Sequence, residues 1–284
     1  MQVAKKIIFD QLSPIYPKQE IESLSRLIFE KVLGVTRIQI HLNQHETISE
    51  ANLAQIKEIV NRLCHFEPIQ YILGETQFYS LHLKVTPAVL IPRQETEELV
   101  DWIIKANMEI TPKILDIGTG SGCIPIALAK NIPGSAAQGW DISMEALKVA
   151  QENAQINEVT VNFHCVDILK PINQFVDSKF DIIVSNPPYI PTSEQSFMDK
   201  NVTQYEPHLA LFVPDNEPLI FYNRITDLAA KHLKTGGFIY FEINEKYGTQ
   251  SAELLQSKGF TNIVTKRDIN GKIRMIKGEK HWIN

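Results

Sequence analysis

Apolar residues recur at helical spacing through the first seventy-four positions. Ile21, Leu24, Ser25, Ile28 and Val32 fall on one face of a segment that Gly34 can close. A second amphipathic segment opens at Ser49 and carries Leu53, Ile56, Ile59, Val60 and Leu63 along its apolar side. Both stripes predict the core of a small helical bundle, and nothing in residues 1–70 suggests catalysis. Between Gln77 and Pro92 the period shortens. Phe78, Leu81, Leu83, Val85 and Val89 sit among polar neighbours at near-alternating positions, which predicts a hairpin linking the two halves of the chain.

A helix over Glu95–Asn107 is followed by regular alternation of strand and helix. The apolar runs Lys113–Ile117, Ala137–Asp141, Val161–Cys165, Phe180–Ser185, Phe238–Ile243, Asn262–Thr265 and Ile273–Lys277 predict strands. Helical stretches separate the first five, among them Cys123–Asn131, Ser143–Asn153 and Pro218–Leu233. Such alternation implies a mainly parallel seven-stranded sheet covered on both faces. Only Lys266–Lys272, with Asp268, Asn270 and Gly271, separates the last two strands, so the sheet is expected to end in an antiparallel hairpin. The expected organisation is a helical domain over 1–74, a hairpin linker over 75–92 and an α/β domain over 93–284.

Composition narrows the class. The 284 residues include 44% hydrophobic and 21% charged, ordinary globular values that exclude a disordered or fibrous chain. The net charge of −5 counts against a strongly basic nucleic-acid binder. Cys64, Cys123 and Cys165 form no C-x-x-C pair, and the histidines lack H-E-x-x-H spacing, so neither a disulfide framework nor a metal site is expected. Asp10 interrupts the start too early for a signal peptide, and no apolar run reaches the ~18 residues of a membrane span. A soluble cytoplasmic protein is expected.

The chemistry begins at Lys113–Gly122, a buried strand entering a turn with glycines at 118, 120 and 122. Glycines there permit sharp turning and let a ligand lie against bare backbone. The third glycine comes one residue too early for the dinucleotide pattern, and Asp116 stands just before the loop, where a carboxylate suits a cationic cofactor better than a pyrophosphate. Asp141 ends the next strand, where an acid can accept from both ribose hydroxyls. Asp167, after the third strand, can hold an adenine amino group. Each aspartate alone can equally cap a loop; three at successive strand ends favour a nucleoside.

Asn186-Pro187-Pro188-Tyr189, after the fourth strand, is the most specific signal in the chain. Consecutive prolines lock φ and offer carbonyl acceptors without competing N–H groups. Asn186 Oδ1 and the Pro187 carbonyl can accept both hydrogens of a planar –NH2 group, and the Tyr189 ring can pack on its flat face.

The glycine loop followed by Asn-Pro-Pro-Tyr resembles the S-adenosylmethionine-dependent methyltransferases that act on amide or exocyclic amine nitrogens. With Pro68–Gly74, Val89–Glu97, Leu115–Gly122, Ser185–Ile190 and Tyr205–Leu211, the chain resembles the peptide chain release factor glutamine methyltransferases over about residues 65–280. That resemblance implies a Rossmann-like class I methyltransferase domain behind a helical substrate-recognition domain, acting as a monomer without metal. It implies that Gly118, Thr119, Gly120, Ser121, Gly122, Asp141, Asp167, Ile168 and Asn186 line the cofactor pocket. Asn186, Pro187, Pro188 and Tyr189 hold the glutamine of the release factor's Gly-Gly-Gln motif, with Asn186, Pro187 and Tyr189 carrying the chemistry, and Arg93 and Glu95 close the site. Three departures stand out: Gln94 replaces a family proline, Phe212–Pro218 replaces a glycine-rich stretch, and Asn244 replaces a glycine, a position where Asn tolerates positive φ.

The implied reaction is in-line attack of the amide nitrogen on the sulfonium methyl, with S-adenosylhomocysteine leaving. The methylated amide is acidic enough to lose its proton to water, so no dedicated base is required. A nucleic-acid base methyltransferase is the first rival, because the same acceptors can hold a flipped base. Residues 1–75, with eight Lys+Arg against nine Asp+Glu, make a poor platform for phosphate. A methyltransferase for a ribosomal-protein glutamine is not separated by charge. A NAD-dependent oxidoreductase is opposed by the glycine spacing, and a non-catalytic module by the intact Asn-Pro-Pro-Tyr.

Overall fold

The computed structural model describes residues 1–42, 46–108, 111–172 and 179–281. Their contacts divide the chain into two units, Met1–Gly74 with Asp199–Tyr205, and Glu75–Met198 with Glu206–Asn284. The smaller unit contains helices α1 (Gln2–Leu12), α2 (Lys18–Leu33), α3 (Arg37–Leu42), α4 (Glu50–Cys64) and α5 (Ile69–Leu73). Its core holds the anticipated Ile21, Leu24, Ile28, Ile56, Ile59, Val60 and Leu63, joined by Ala4, Ile8, Leu12 and Phe29. Ser25, Val32 and Leu53 are only half-buried. Gly34 closes α2 in the left-handed conformation, and Ser49 caps α4 by accepting from the Asn52 N–H at 3.2 Å.

The larger unit opens with a hairpin, β1 (Glu75–Phe78) and β2 (Leu81–Lys84), followed by α6 (Gln94–Asn107). Strands β3 (Lys113–Ile117), β4 (Ala136–Asp141), β5 (Val161–Cys165) and β6 (Phe180–Ser185) follow, with α7 (Cys123–Asn131) after β3 and α8 (Met144–Ile156) after β4. Two short strands, β7 (Ile190–Pro191) and β8 (Phe212–Val213), pair in parallel, and between them α9 (Lys200–Tyr205) belongs to the smaller unit. Helix α10 (Ile220–His232), β9 (Leu233–Glu242), α11 (Gly248–Ser257), β10 (Phe260–Arg267) and β11 (Ile273–Lys280) complete the chain.

The main sheet has seven strands in the order β10-β11-β9-β6-β3-β4-β5. The five strands from β9 to β5 run parallel, and β11 and β10 close the edge antiparallel, as the pattern predicts. Apolar residues of β3, β6 and β9 are buried on both faces, which is why these strands read as apolar runs rather than alternations. The chain goes outward from β3 through β4 to β5 and returns to β6 on the other side of β3, so a crevice opens at the carboxyl ends of β3 and β6. No helix among the described residues is long and apolar enough to cross a membrane.

The hairpin expected as a linker packs within the larger unit. Asn153 and Asn157, four residues apart at the end of α8, each exchange donor and acceptor with the β2 backbone. Asn153 Oδ1 accepts from the Lys84 N–H at 2.6 Å and its Nδ2 donates to the Lys84 carbonyl at 3.0 Å. Asn157 does the same with His82, at 3.3 and 2.8 Å. Four residues of helix rise about 6 Å and two of strand about 6.6 Å, so the two side chains match alternate residues of the strand edge. Asn153 also donates to the Ser121 carbonyl at 2.9 Å, which ties the glycine loop to the same clamp.

Asn153→Ala leaves part-buried backbone groups of Lys84 and the buried Ser121 carbonyl without their Asn153 partner. We expect a loss of about 3 kcal/mol in equilibrium unfolding. A loss below about 0.5 kcal/mol, the scale of a neutral surface change, would mean that the clamp does not hold the hairpin.

Candidate active site

The glycine loop is pinned at its start. The N–H groups of Gly118 and Thr119 both donate to the Trp140 carbonyl, at 2.8 and 2.9 Å. Gly118, Gly120 and Gly122 have φ of +74°, +53° and +78°, a region costly to residues with a Cβ. A Cβ at Gly118 or Gly120 would meet nothing within 4 Å, whereas at Gly122 it would meet Ile126 Cδ1 at 3.0 Å and Ala150 Cβ at 3.1 Å. The first two glycines therefore leave bare backbone open to a ligand, and the third lets α7 pack closely on α8. Thr119 and Ser121 are buried within the loop.

Asp141 fastens this loop to the next βα turn. Its Oδ2 accepts from the Gly120 N–H at 2.8 Å, and its Oδ1 from the Ser143 N–H at 2.9 Å. Burial pushes its pKa up, against the pull of those N–H groups. Asp167 accepts from the Leu169 N–H at 3.0 Å and lies 3.3 Å from the Lys170 ammonium. Both aspartates thus serve as loop caps and keep lone pairs for further donors. Ile168 is buried against the face formed by Leu115, Ile117 and Trp140.

Asp116 is the exception in a strand otherwise apolar within. It is fully buried, and among the described residues no donor reaches either carboxylate oxygen within hydrogen-bond geometry. Burial pushes its pKa up to about 7, with a smaller opposing pull from the Thr119 side chain. A buried carboxylate without partners is unfavourable, and a cation beside it removes that cost. Open glycine backbone next to an unsatisfied anion fits a nucleoside cofactor bearing positive charge. Cys123, at the start of α7, is no nucleophile, because burial raises its thiol to about 12.

The second half of the site begins where β6 ends. Ser185 Oγ donates to the Ile117 carbonyl at 2.6 Å, locking the ends of β6 and β3 together. Asn186, Pro188 and Tyr189 are half-buried, and Pro187 is buried. Asn186 Nδ2 donates to Thr96 Oγ1 at 3.2 Å, and that hydroxyl donates to Glu242 Oε2 at 2.7 Å. The other oxygen of Glu242 accepts from the Tyr189 hydroxyl at 3.1 Å. Among the described residues no side-chain or backbone donor reaches Asn186 Oδ1. Glu242 is 1% exposed. Burial raises its pKa, while Thr96, Tyr189 and the Arg274 charge pull it down. Burial, and then the charge of Glu242, push the Tyr189 hydroxyl far up, so it stays protonated and donates.

Asn244 does not use a left-handed conformation. Its φ is −69°, and its side chain caps the following turn by accepting from the Lys246 N–H at 3.0 Å. Asparagine replaces glycine here as a cap rather than for positive φ. Arg93 forms an ion pair with Glu206 at 2.6 Å, and Glu206 is 4% exposed. This pair joins the Ile-Pro-Arg segment to the Tyr-Glu-Pro-His segment. The Glu95 carboxylate in the first turn of α6 acts on Glu242 through its charge, which raises the Glu242 pKa.

The expected residues therefore gather at the carboxyl ends of β3, β4, β5 and β6. Sequence reasoning assigned no role to Thr96, Glu206 or Glu242. Thr96 and Glu206 lie in stretches that carry the family resemblance and Glu242 lies outside them; the burial and contacts of all three are visible only in the fold.

Residues 96–207 match the Methyltransferase small domain family, and residues 10–74 match the PrmC N-terminal domain. Among solved structures, a ribosomal protein L11 methylase from Lactobacillus delbrueckii subsp. bulgaricus aligns with a TM-score of 0.51 at 22% identity, covering 70% of this chain and 86% of that one. A T. thermophilus 16S rRNA N2 G1207 methyltransferase in complex with AdoMet and guanosine aligns with a TM-score of 0.53 at 18% identity, covering 73% and 50%. These likenesses establish the class I methyltransferase fold, whose cofactor is S-adenosylmethionine. Release factor glutamine methyltransferase from Flavobacterium psychrophilum is 47% identical over 94% of both chains. The protein of that name from Bacteroides thetaiotaomicron is 41% identical over 96% of this chain and 98% of its own. With such identity over nearly the whole length, the chain belongs to the release factor glutamine methyltransferase family.

Proposed function

We propose that the protein transfers a methyl group from S-adenosylmethionine to the side-chain amide nitrogen of the glutamine in the Gly-Gly-Gln motif of peptide chain release factors. The observation that carries this reading is the Asn-Pro-Pro-Tyr loop beside the glycine loop, with Asn186 held by its Nδ2 and its Oδ1 met by no donor among the described residues. Family membership supports the substrate, and the match of residues 10–74 supports a recognition role for the helical unit. All the proposed site residues come from one unit of one chain, which supports action as a monomer. The weakly acidic amino-terminal region supports a protein partner over nucleic acid, and release factors place the reaction in the cytoplasm.

When bound, S-adenosylmethionine supplies an electrophilic methyl on a sulfonium and departs as neutral S-adenosylhomocysteine. The backbone of Gly118–Gly122 with Thr119 and Ser121 would cradle it, Asp116 would face its positive charge, and Asp141, Asp167 and Ile168 would hold the nucleoside. Asn186 Oδ1 and the Pro187 carbonyl would accept the two hydrogens of the glutamine amide. An amide lone pair is delocalised and weakly nucleophilic, so orientation supplies much of the acceleration. Those two acceptors act more strongly as the nitrogen gains positive charge, which favours the transition state over the ground state. The buried faces of Pro188 and Tyr189 confine the amide plane. The nitrogen's proton then goes to water.

The direct experiment is radiolabelled methyl transfer to purified release factor carrying Gln or Ala in its Gly-Gly-Gln motif. Label is expected on the glutamine form alone; equal labelling of both, or of ribosomal protein or DNA in preference, would overturn the proposal. Asn186→Ala should lower kcat about 100-fold and leave the cofactor dissociation constant within a few-fold. A collapse of cofactor binding with kcat preserved at saturation would contradict the acceptor role.

Asp116 generates a pH signature. Its folded-state pKa of about 7 lies above the ordinary 3.8, so the free protein loses stability as pH rises between those values. A cation prefers the ionised form. Titration calorimetry should therefore find cofactor binding roughly tenfold tighter at pH 8 than at pH 6. Asp116→Asn should bind weakly with that part of the dependence gone. An unchanged pH dependence in the variant would remove Asp116 from the cofactor's electrostatics.

A further inference from the structure

We infer that Glu242 and Thr96 are positioning residues for methyl transfer, fixing which end of the Asn186 side-chain amide faces the substrate. This inference rests on the glutamine reaction proposed above. The two ends of an asparagine amide are nearly identical in shape, so packing cannot choose between them. Hydrogen-bond partners must choose. The choice matters, because the incoming –NH2 group can only be received by the carbonyl end; an inverted Asn186 would turn donors toward donors.

The polarity originates at Glu242. Both hydroxyls that touch Glu242 donate to it, Thr96 Oγ1 to Oε2 at 2.7 Å and Tyr189 to Oε1 at 3.1 Å, so the carboxylate acts as acceptor at both oxygens. The single hydrogen of Thr96 is thereby committed. Toward Asn186, at 3.2 Å, Thr96 can only accept, and so the Nδ2 end must face it. Oδ1 is left on the opposite side. The relay is local by construction: Ser185 pairs with Phe241 in the ladder, so Asn186 and Glu242 are the next residues along two adjoining strand ends. Thr96, from the first turn of α6, sits 2% exposed between them. The same carboxylate holds Tyr189, so one buried anion orients both ends of the four-residue loop.

Two isosteric changes test the relay. Glu242→Gln keeps the shape but introduces an –NH2 donor, freeing Thr96 to donate to Asn186 and allowing inversion. Thr96→Val removes the hydroxyl at nearly constant volume, and Thr96→Ser returns it. On release factor substrate, Glu242→Gln and Thr96→Val are each expected to lower kcat at least about tenfold. The cofactor dissociation constant should stay near wild type, the melting temperature should fall in Thr96→Val because buried Glu242 and Asn186 lose a partner, and Thr96→Ser should recover most of the rate lost by Thr96→Val. Wild-type kcat in both Glu242→Gln and Thr96→Val would overturn the inference while leaving the glutamine reaction standing. So would a rate loss that Thr96→Ser does not recover and that tracks melting temperature, since that marks a purely structural role. If Glu242→Gln does not fold, the Thr96 pair decides alone. Failure of the wild type to label the glutamine would instead remove the proposed reaction itself, a distinguishable outcome.

Discussion

A carboxylate removed from water must find hydrogen bonds or a cation, and this site is organised around two that meet the requirement differently. Glu242 satisfies both oxygens with hydroxyls, and Arg274 lies near enough to favour its charge. Asp116 satisfies neither oxygen among the described residues. One anion is spent on holding the acceptor loop in a fixed polarity; the other is held in reserve for positive charge. Neither arrangement would survive in the body of the sheet, where both faces are apolar. The carboxyl edge, where strands end and glycines open the backbone, is the place where this sheet can accommodate such groups.

The fold was readily legible in the sequence because period and composition agree there. Lys113–Ile117, Val161–Cys165 and Phe180–Ser185 begin and end where the apolar runs do. Boundaries failed where local chemistry misleads. Gly236 and Gly237 interrupt the apolar run of β9, yet the strand continues through them back to Leu233, with Gly236 at φ +75°. Gly237 is needed there because a Cβ would lie 2.9 Å from the Asp181 carbonyl oxygen. The hairpin turn uses Tyr79 and Ser80 at φ +45° and +63° in place of the usual Asn-Gly. Tyr79 is held there by Glu97 and Asp101 of α6, contacts that no short-range pattern contains.

The site was legible to the extent that it is contiguous. Gly118–Gly122 and Asn186–Tyr189 announce themselves as motifs because each acts through backbone or near-neighbour groups. Thr96, Glu206 and Glu242 act through partners 90, 113 and 146 positions away, and distance along the chain conceals them. The same holds for residues 199–205, which lie within the larger unit's sequence but cluster with the helical unit. Asn244 shows the converse error: a residue that can adopt positive φ was available, but the backbone used its side chain as a cap.

The central claim is that the edge of the sheet is already set to receive an amide before the substrate arrives. A crystal structure with S-adenosylhomocysteine and a Gly-Gly-Gln peptide tests it most directly. The account predicts the glutamine nitrogen about 3 Å from both Asn186 Oδ1 and the Pro187 carbonyl, with Asn186 Nδ2 still on Thr96 and Asp116 facing the cofactor. A glutamine bound away from Asn186, or an Asn186 that has turned its Nδ2 toward the peptide, would contradict it.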